Sequence, residues 1–141
     1  MSGDPLDEAL FLDLLAQGHH ALMRAYGTSM SPSIRSGAEV KLEPSPADVQ
    51  LGDVVLVRLE GERWMLHRVV AFRADGRLLL KGDGLDQPDR PVPRDAVVGR
   101  VVWVSHGFPH RPTQYPGRWL SVALAIVSLW SWKVKRRVAR A

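Results

Sequence analysis

The chain has 141 residues, enough for one domain with a core of its own and short appendages. At 45% hydrophobic and 24% charged residues it is globular rather than disordered, and with no cysteine it holds neither a disulfide nor a thiolate metal site. The net charge of +4 is concentrated at one end: nothing after Asp95 is acidic, and Lys133, Lys135, Arg136, Arg137 and Arg140 crowd the C-terminus, so the body is close to neutral and a diffuse nucleic-acid footprint is excluded.

Residues 1–18 read as an amphipathic helix. Asp4 is placed to cap it, Pro5 suits its first turn, and Gly18 is a natural stop. Leu6, Leu10 and Leu14, with Phe11 and Leu15 between, give the apolar face. Asp7, Glu8 and Asp13 exclude a signal peptide or a spanning helix here. The segment from His19 to Tyr26 is expected to be a strand, with the His19-His20 pair facing solvent.

Residues 19–104 read as a mostly β domain. Gly27-Thr-Ser-Met-Ser-Pro32 is a tight turn in which Gly27 permits a sharp bend and Pro32 biases Ser31. Ala38 to Leu42 reads as a short strand and Glu43-Pro-Ser-Pro46 as a break. Val54 to Leu59 is an apolar run typical of a buried strand. Trp64 to Phe72 returns beside it after the Glu60-Gly-Glu62 turn, and Asp75-Gly76 turns the chain into Arg77 to Lys81. A polar loop, 82–93, precedes a last strand from Ala96 to Val104.

Residues 105–118 hold three prolines and two glycines and read as a linker, in which Pro109 separates His106 from His110 and excludes a helical metal pair. Residues 119–141 read as a hydrophobic helix with a basic tail. Trp119 to Trp132 contains no charge, but as a helix it spans only about 21 Å against roughly 30 Å of bilayer hydrocarbon. Tryptophans at its ends and the basic cluster beyond favour a membrane interface or a short assisted insertion, leaving open which side of the membrane is involved. Ser121, Ala125 and Ser128 form a small-residue face suited to close packing on another helix, in a second copy or in a membrane partner subunit. The simpler alternative is a helix docked on the body.

A serine in a Gly/Pro-rich turn is most often just a turn residue. The turn also suits a nucleophile, because it presents the Ser29 hydroxyl and backbone N–H towards a common point. A base is then required, and His67 interrupts an apolar strand in Trp64-Met-Leu-His-Arg-Val-Val70. A histidine base needs a carboxylate on its other nitrogen. Asp83, Asp86 and Asp89 in the 82–93 loop are all candidates, and residue type alone does not choose among them.

Five segments occur in order: Gly27-Thr-Ser-Met-Ser-Pro32, Leu51-Gly-Asp-Val-Val-Leu-Val-Arg-Leu59, His67-Arg-Val-Val70, Lys81-Gly-Asp83 and Ala96-Val-Val-Gly-Arg-Val101. Together they resemble the signal peptidase family of serine peptidases, and most closely the archaeal and endoplasmic-reticulum branch that uses histidine where bacterial enzymes use lysine. The resemblance implies a small antiparallel β domain, Ser29 as nucleophile and His67 as general base. It implies Asp89, six positions past the aspartate of Lys-Gly-Asp, as the third member, with Asp83 shaping the site. It implies no cofactor and no metal, and a peptide or preprotein substrate bound as an extended strand and cut after small residues. On this reading activity rises through about pH 6–7 as an imidazole loses its proton.

Two departures stand out. The family's spanning helix before the serine turn is replaced by the acidic helix, and Gly27 occupies the position of a serine that assists the oxyanion hole in bacterial enzymes. The hole then falls to backbone N–H groups, that of Ser29 with Thr28 nearby. Two rival readings follow. One is a self-cleaving repressor-type domain, which pairs serine with lysine (Lys41 or Lys81 here), although the first 26 residues show no helix-turn-helix. The other is a non-catalytic, membrane-peripheral module that holds extended peptides.

Overall fold

The computed structural model describes residues 5–44, 46–61, 63–106, 113–114 and 118–140. The Asp4 cap, Ser45, Glu62, His110 and most of the expected linker lie outside them. Helix α1 (Pro5–Ala16) leads into β1 (Ala21–Arg24), β2 (Glu39–Pro44), β3 (Val54–Leu59), β4 (Arg63–Phe72) and β5 (Leu78–Lys81). A 3-10 turn (Arg94–Ala96), β6 (Val97–Ser105), β7 (Thr113–Gln114) and α2 (Arg118–Arg140) complete the chain. The strands form one antiparallel sheet in the order β1-β2-β6-β3-β4-β5, with β7 added beside β6.

The centre of the sheet follows from the apolar run of β3. Val54 and Leu56 enter one core with Phe11, Met30, Ile34 and Leu42, while Val55 and Val57 enter a second with Val69, Leu78 and Leu80. A strand buried on both faces has no polar side to alternate with, which is why this stretch reads as continuous hydrophobicity. The fully buried core valines and leucines contribute about 1.5–3 kcal/mol each relative to exposure. Near the start of β3, Arg100 of β6 binds Glu43, Asp48 and Asp53, tying the end of β2 to the segment that leads into β3.

Several expectations are corrected. Phe11 and Leu15 carry the buried face of α1, whereas Leu10 is 60% exposed. Strand β2 continues through Pro44, where a break was expected, because Glu43 and Pro44 still pair with Arg100 and Gly99. The 105–118 stretch is not wholly a linker, since Thr113 and Gln114 pair with Val104 and Trp103.

At the C-terminus, α2 runs unbroken through the basic tail. Lysine and arginine are good helix formers, and cations are favourable near a helix C-terminus. No helix among the described residues is long and apolar enough to cross a membrane. The small-residue face has found its neighbour in the body: Ser121 and Ala125 are buried. The backbone of α2 lies so close to Gly52 that a Cβ there would stand 2.6 Å from the Ser121 carbonyl carbon.

Candidate active site

The serine turn begins at Gly27, whose φ of 94° favours glycine, and its N–H donates to Ser36 Oγ at 3.1 Å. The turn is closed by Ser31 N–H donating to the Thr28 carbonyl and Ile34 N–H to that of Met30; the Ser31–Pro32 bond is cis. Met30 and Ile34 are buried and anchor the turn in the first core, while Ser29 stays partly exposed beside them.

The Lys81-Gly-Asp-Gly84 segment lies directly against this turn. Gly84 N–H donates to the Ser29 carbonyl at 2.9 Å. A Cβ on Gly82 would stand 2.5 Å from the Ser29 carbonyl oxygen, and one on Gly84 would stand 2.5 Å from that of Thr28. Glycine on both sides of Asp83 is therefore what lets the loop approach the serine so closely. The paired glycines were visible in the sequence, but their neighbour was not.

His67 lies on β4 opposite Val55 and is buried. Its Nδ1 is 2.5 Å from Asp89 Oδ2, in a hydrogen bond the carboxylate accepts from the ring N–H. Asp89 is held in turn by its own N–H, which donates to the Leu80 carbonyl at 2.8 Å. Asp83 takes a different partner: Arg68 Nε and Nη2 donate to its two oxygens at 2.9 and 2.7 Å. Arg68 is fully buried and also donates from Nη1 to the Gly52 carbonyl at 2.9 Å. This residue was missed in the sequence, where its signal was a second charged residue beside His67 inside an apolar strand. Asp86 is exposed and pairs with Lys135 of α2, which holds its carboxyl below the usual range.

Ser29 and His67 line one pocket of about 140 Å³ together with Met23, Ala25, Tyr26, Gly27, Trp64, Met65 and Leu66. Among the described residues no hydrogen bond joins Ser29 Oγ to the ring; the shared pocket is what brings them together. Catalytic hydrogen bonds are often loose before substrate binds. Two strand edges border this pocket. Among the described strands, β1 pairs with β2 alone, and the β4 stretch Trp64–His67 pairs with β3 on one side and with none on the other.

The two lysines of the β body do not line this pocket. Lys41 is exposed. Lys81 is buried, and its Nζ donates to Ser128 Oγ of α2 at 2.7 Å; burial holds its amine below the ordinary value of 10.5. Elsewhere, His106 Nε2 accepts from the Arg35 N–H at 3.3 Å, and the described residues contain no acidic, histidine or cysteine cluster able to hold a metal.

No curated protein matches the chain. The family described as Peptidase S24-like matches residues 4–102, a stretch that takes in the serine turn, the histidine strand and the aspartate loop alike. On that coverage, the chain belongs to the Peptidase S24-like family.

Proposed function

We propose that this member of a serine-peptidase family is an endopeptidase that cuts an extended, leader-type peptide by acyl transfer. Ser29 Oγ attacks the scissile carbonyl and forms the new C–O bond, while His67 Nε2 takes the hydroxyl proton. Asp89 holds Nδ1–H and stabilises the imidazolium. The imidazolium returns the proton to the departing amine as the C–N bond breaks. Water then attacks the acyl-serine, giving a proton to His67, and the freed Ser29 takes it back. The Ser29 backbone N–H, with Thr28 nearby, receives the developing oxyanion.

The observation that carries this reading is the His67–Asp89 hydrogen bond at the edge of the pocket that Ser29 lines. The two strand edges that have no partner among the described strands support an extended substrate, since such edges can hydrogen-bond with its main chain. Cleavage after small residues is carried from the signal-peptidase resemblance.

Histidine rather than lysine as the base is supported by the Lys81 amine pointing to Ser128. The test compares His67→Ala, Lys41→Ala and Lys81→Met for turnover of a peptide substrate. Turnover should be lost with His67→Ala alone. Activity that survives His67→Ala but falls with a lysine substitution, or Ser29-dependent cutting of the chain itself, would favour the self-cleaving repressor-type reading.

A further inference from the structure

Helix α2 leaves one long face unpartnered, and that face is apolar. Leu120, Ile126, Val127, Trp130, Val134 and Val138 are each between 38% and 71% exposed. On a helix with 3.6 residues per turn these six fall within an arc of about 120°. The arc lies nearly opposite Ser121 and Ala125, which are buried against the body. Lys133, Arg137 and Arg140 follow one border of the stripe, and all three are exposed.

The opposite face fixes the helix in place. Gly52 admits its backbone, Lys81 donates to Ser128 at 2.7 Å, and Lys135 donates to Asp86 at 2.7 Å. The exposed stripe is therefore presented by a docked helix and is not the underside of one that has come loose. At 23 residues α2 is about 34 Å long, and it is not apolar enough to cross a bilayer.

We infer that α2 is an in-plane docking helix for an anionic lipid surface. Charge decides between occupants. The chain has no acidic residue after Asp95, so the α2 of a second copy laid along the stripe would offer Lys133, Arg137 and Arg140 no carboxylate to pair with. An anionic bilayer accepts both features at once: the apolar arc enters the acyl boundary and the basic border meets the headgroups. Trp130, 66% exposed in the middle of the stripe, is of the type that settles at that boundary. None of the stripe residues lines the Ser29 pocket.

The test is flotation of the full chain with phosphatidylcholine vesicles, with and without phosphatidylglycerol. The expected result is binding that needs the anionic lipid, weakens as salt is raised, and falls about tenfold or more in Lys133→Gln/Arg137→Gln/Arg140→Gln. Val127→Asp/Trp130→Asp, both at exposed positions, should abolish binding while circular dichroism stays unchanged. Three results would overturn the inference: no binding to anionic vesicles, binding that both variants retain, or a dimer in sedimentation that Val127→Asp/Trp130→Asp dissolves. The last would make a second copy the occupant.

Discussion

Asp83 and Asp89 belong to one loop, but their partners give them different consequences. Asp83 neutralises Arg68, whose side chain is wholly buried. Asp83→Ala takes the carboxylate away from that buried guanidinium, which can cost up to about 3–5 kcal/mol in such settings and should appear as a large drop in the denaturation midpoint. Asp89 is partly open to solvent and touches the His67 ring. Asp89→Asn should leave the midpoint nearly unchanged and lower kcat by as much as about 10⁴-fold, as expected when the imidazole loses the group that sets its tautomer. Equal stability losses in the two variants would remove the distinction. Residue type could not separate these aspartates, because the choice depends on how the 82–93 loop folds back over β4. The pairing of His67 with Asp89 is a property of that closure.

Lys81 offers a second test at this scale. Burial makes its ammonium form costly in the folded protein, while the unfolded chain binds the same proton at the ordinary value of 10.5. The unfolded state therefore holds more protons as pH approaches that value from below, and stability gains with rising pH. Chemical denaturation of wild type beside Lys81→Met should show the wild type gaining relative to the variant as pH is raised towards 10.5. Parallel curves would show that the buried amine carries no such penalty.

Among the elements, the close approach of two backbones holds the serine turn in place. Gly82 and Gly84 carry no side chain where the turn carbonyls pass, and an added Cβ on Gly82 meets the Ser29 carbonyl oxygen at 2.5 Å. Gly82→Ala must therefore push the turn away. A displacement near 1 Å can cost about 10²-fold in rate, so kcat should fall by that order with only a modest loss of melting temperature. Unchanged kcat would mean that the loop does not position Ser29.

The elements differ in how openly the sequence announced them. Strand β3 occupies the expected Val54–Leu59, and the turn at Asp75-Gly76 lies where expected, because an uninterrupted apolar run and an Asp-Gly pair are local signals. The face of α1 departs from expectation at Leu10, since a helix with apolar residues at adjacent positions does not declare which of them is buried. Strand β7 was hidden because a two-residue pairing to β6 owes its existence to the partner's edge and leaves no periodicity of its own. The docking of α2 depends on Gly52, some seventy residues away, a contact that no local pattern encodes.

For the molecule as a whole, one sheet carries two different attachments. The serine turn and the histidine strand line one pocket, and the aspartate loop is bonded to both through Gly84 and Asp89. Helix α2 grips the same aspartate loop through Lys135 and Asp86 and turns its apolar stripe outward. Ser29-dependent peptide cleavage is tested by digesting a diverse peptide mixture with wild type and with Ser29→Ala, and reading the products by mass spectrometry. New termini after small residues are expected with wild type and none with Ser29→Ala. The same cuts from both proteins, or no cuts from wild type with or without anionic vesicles, would contradict this and leave a module that binds peptides without cutting them.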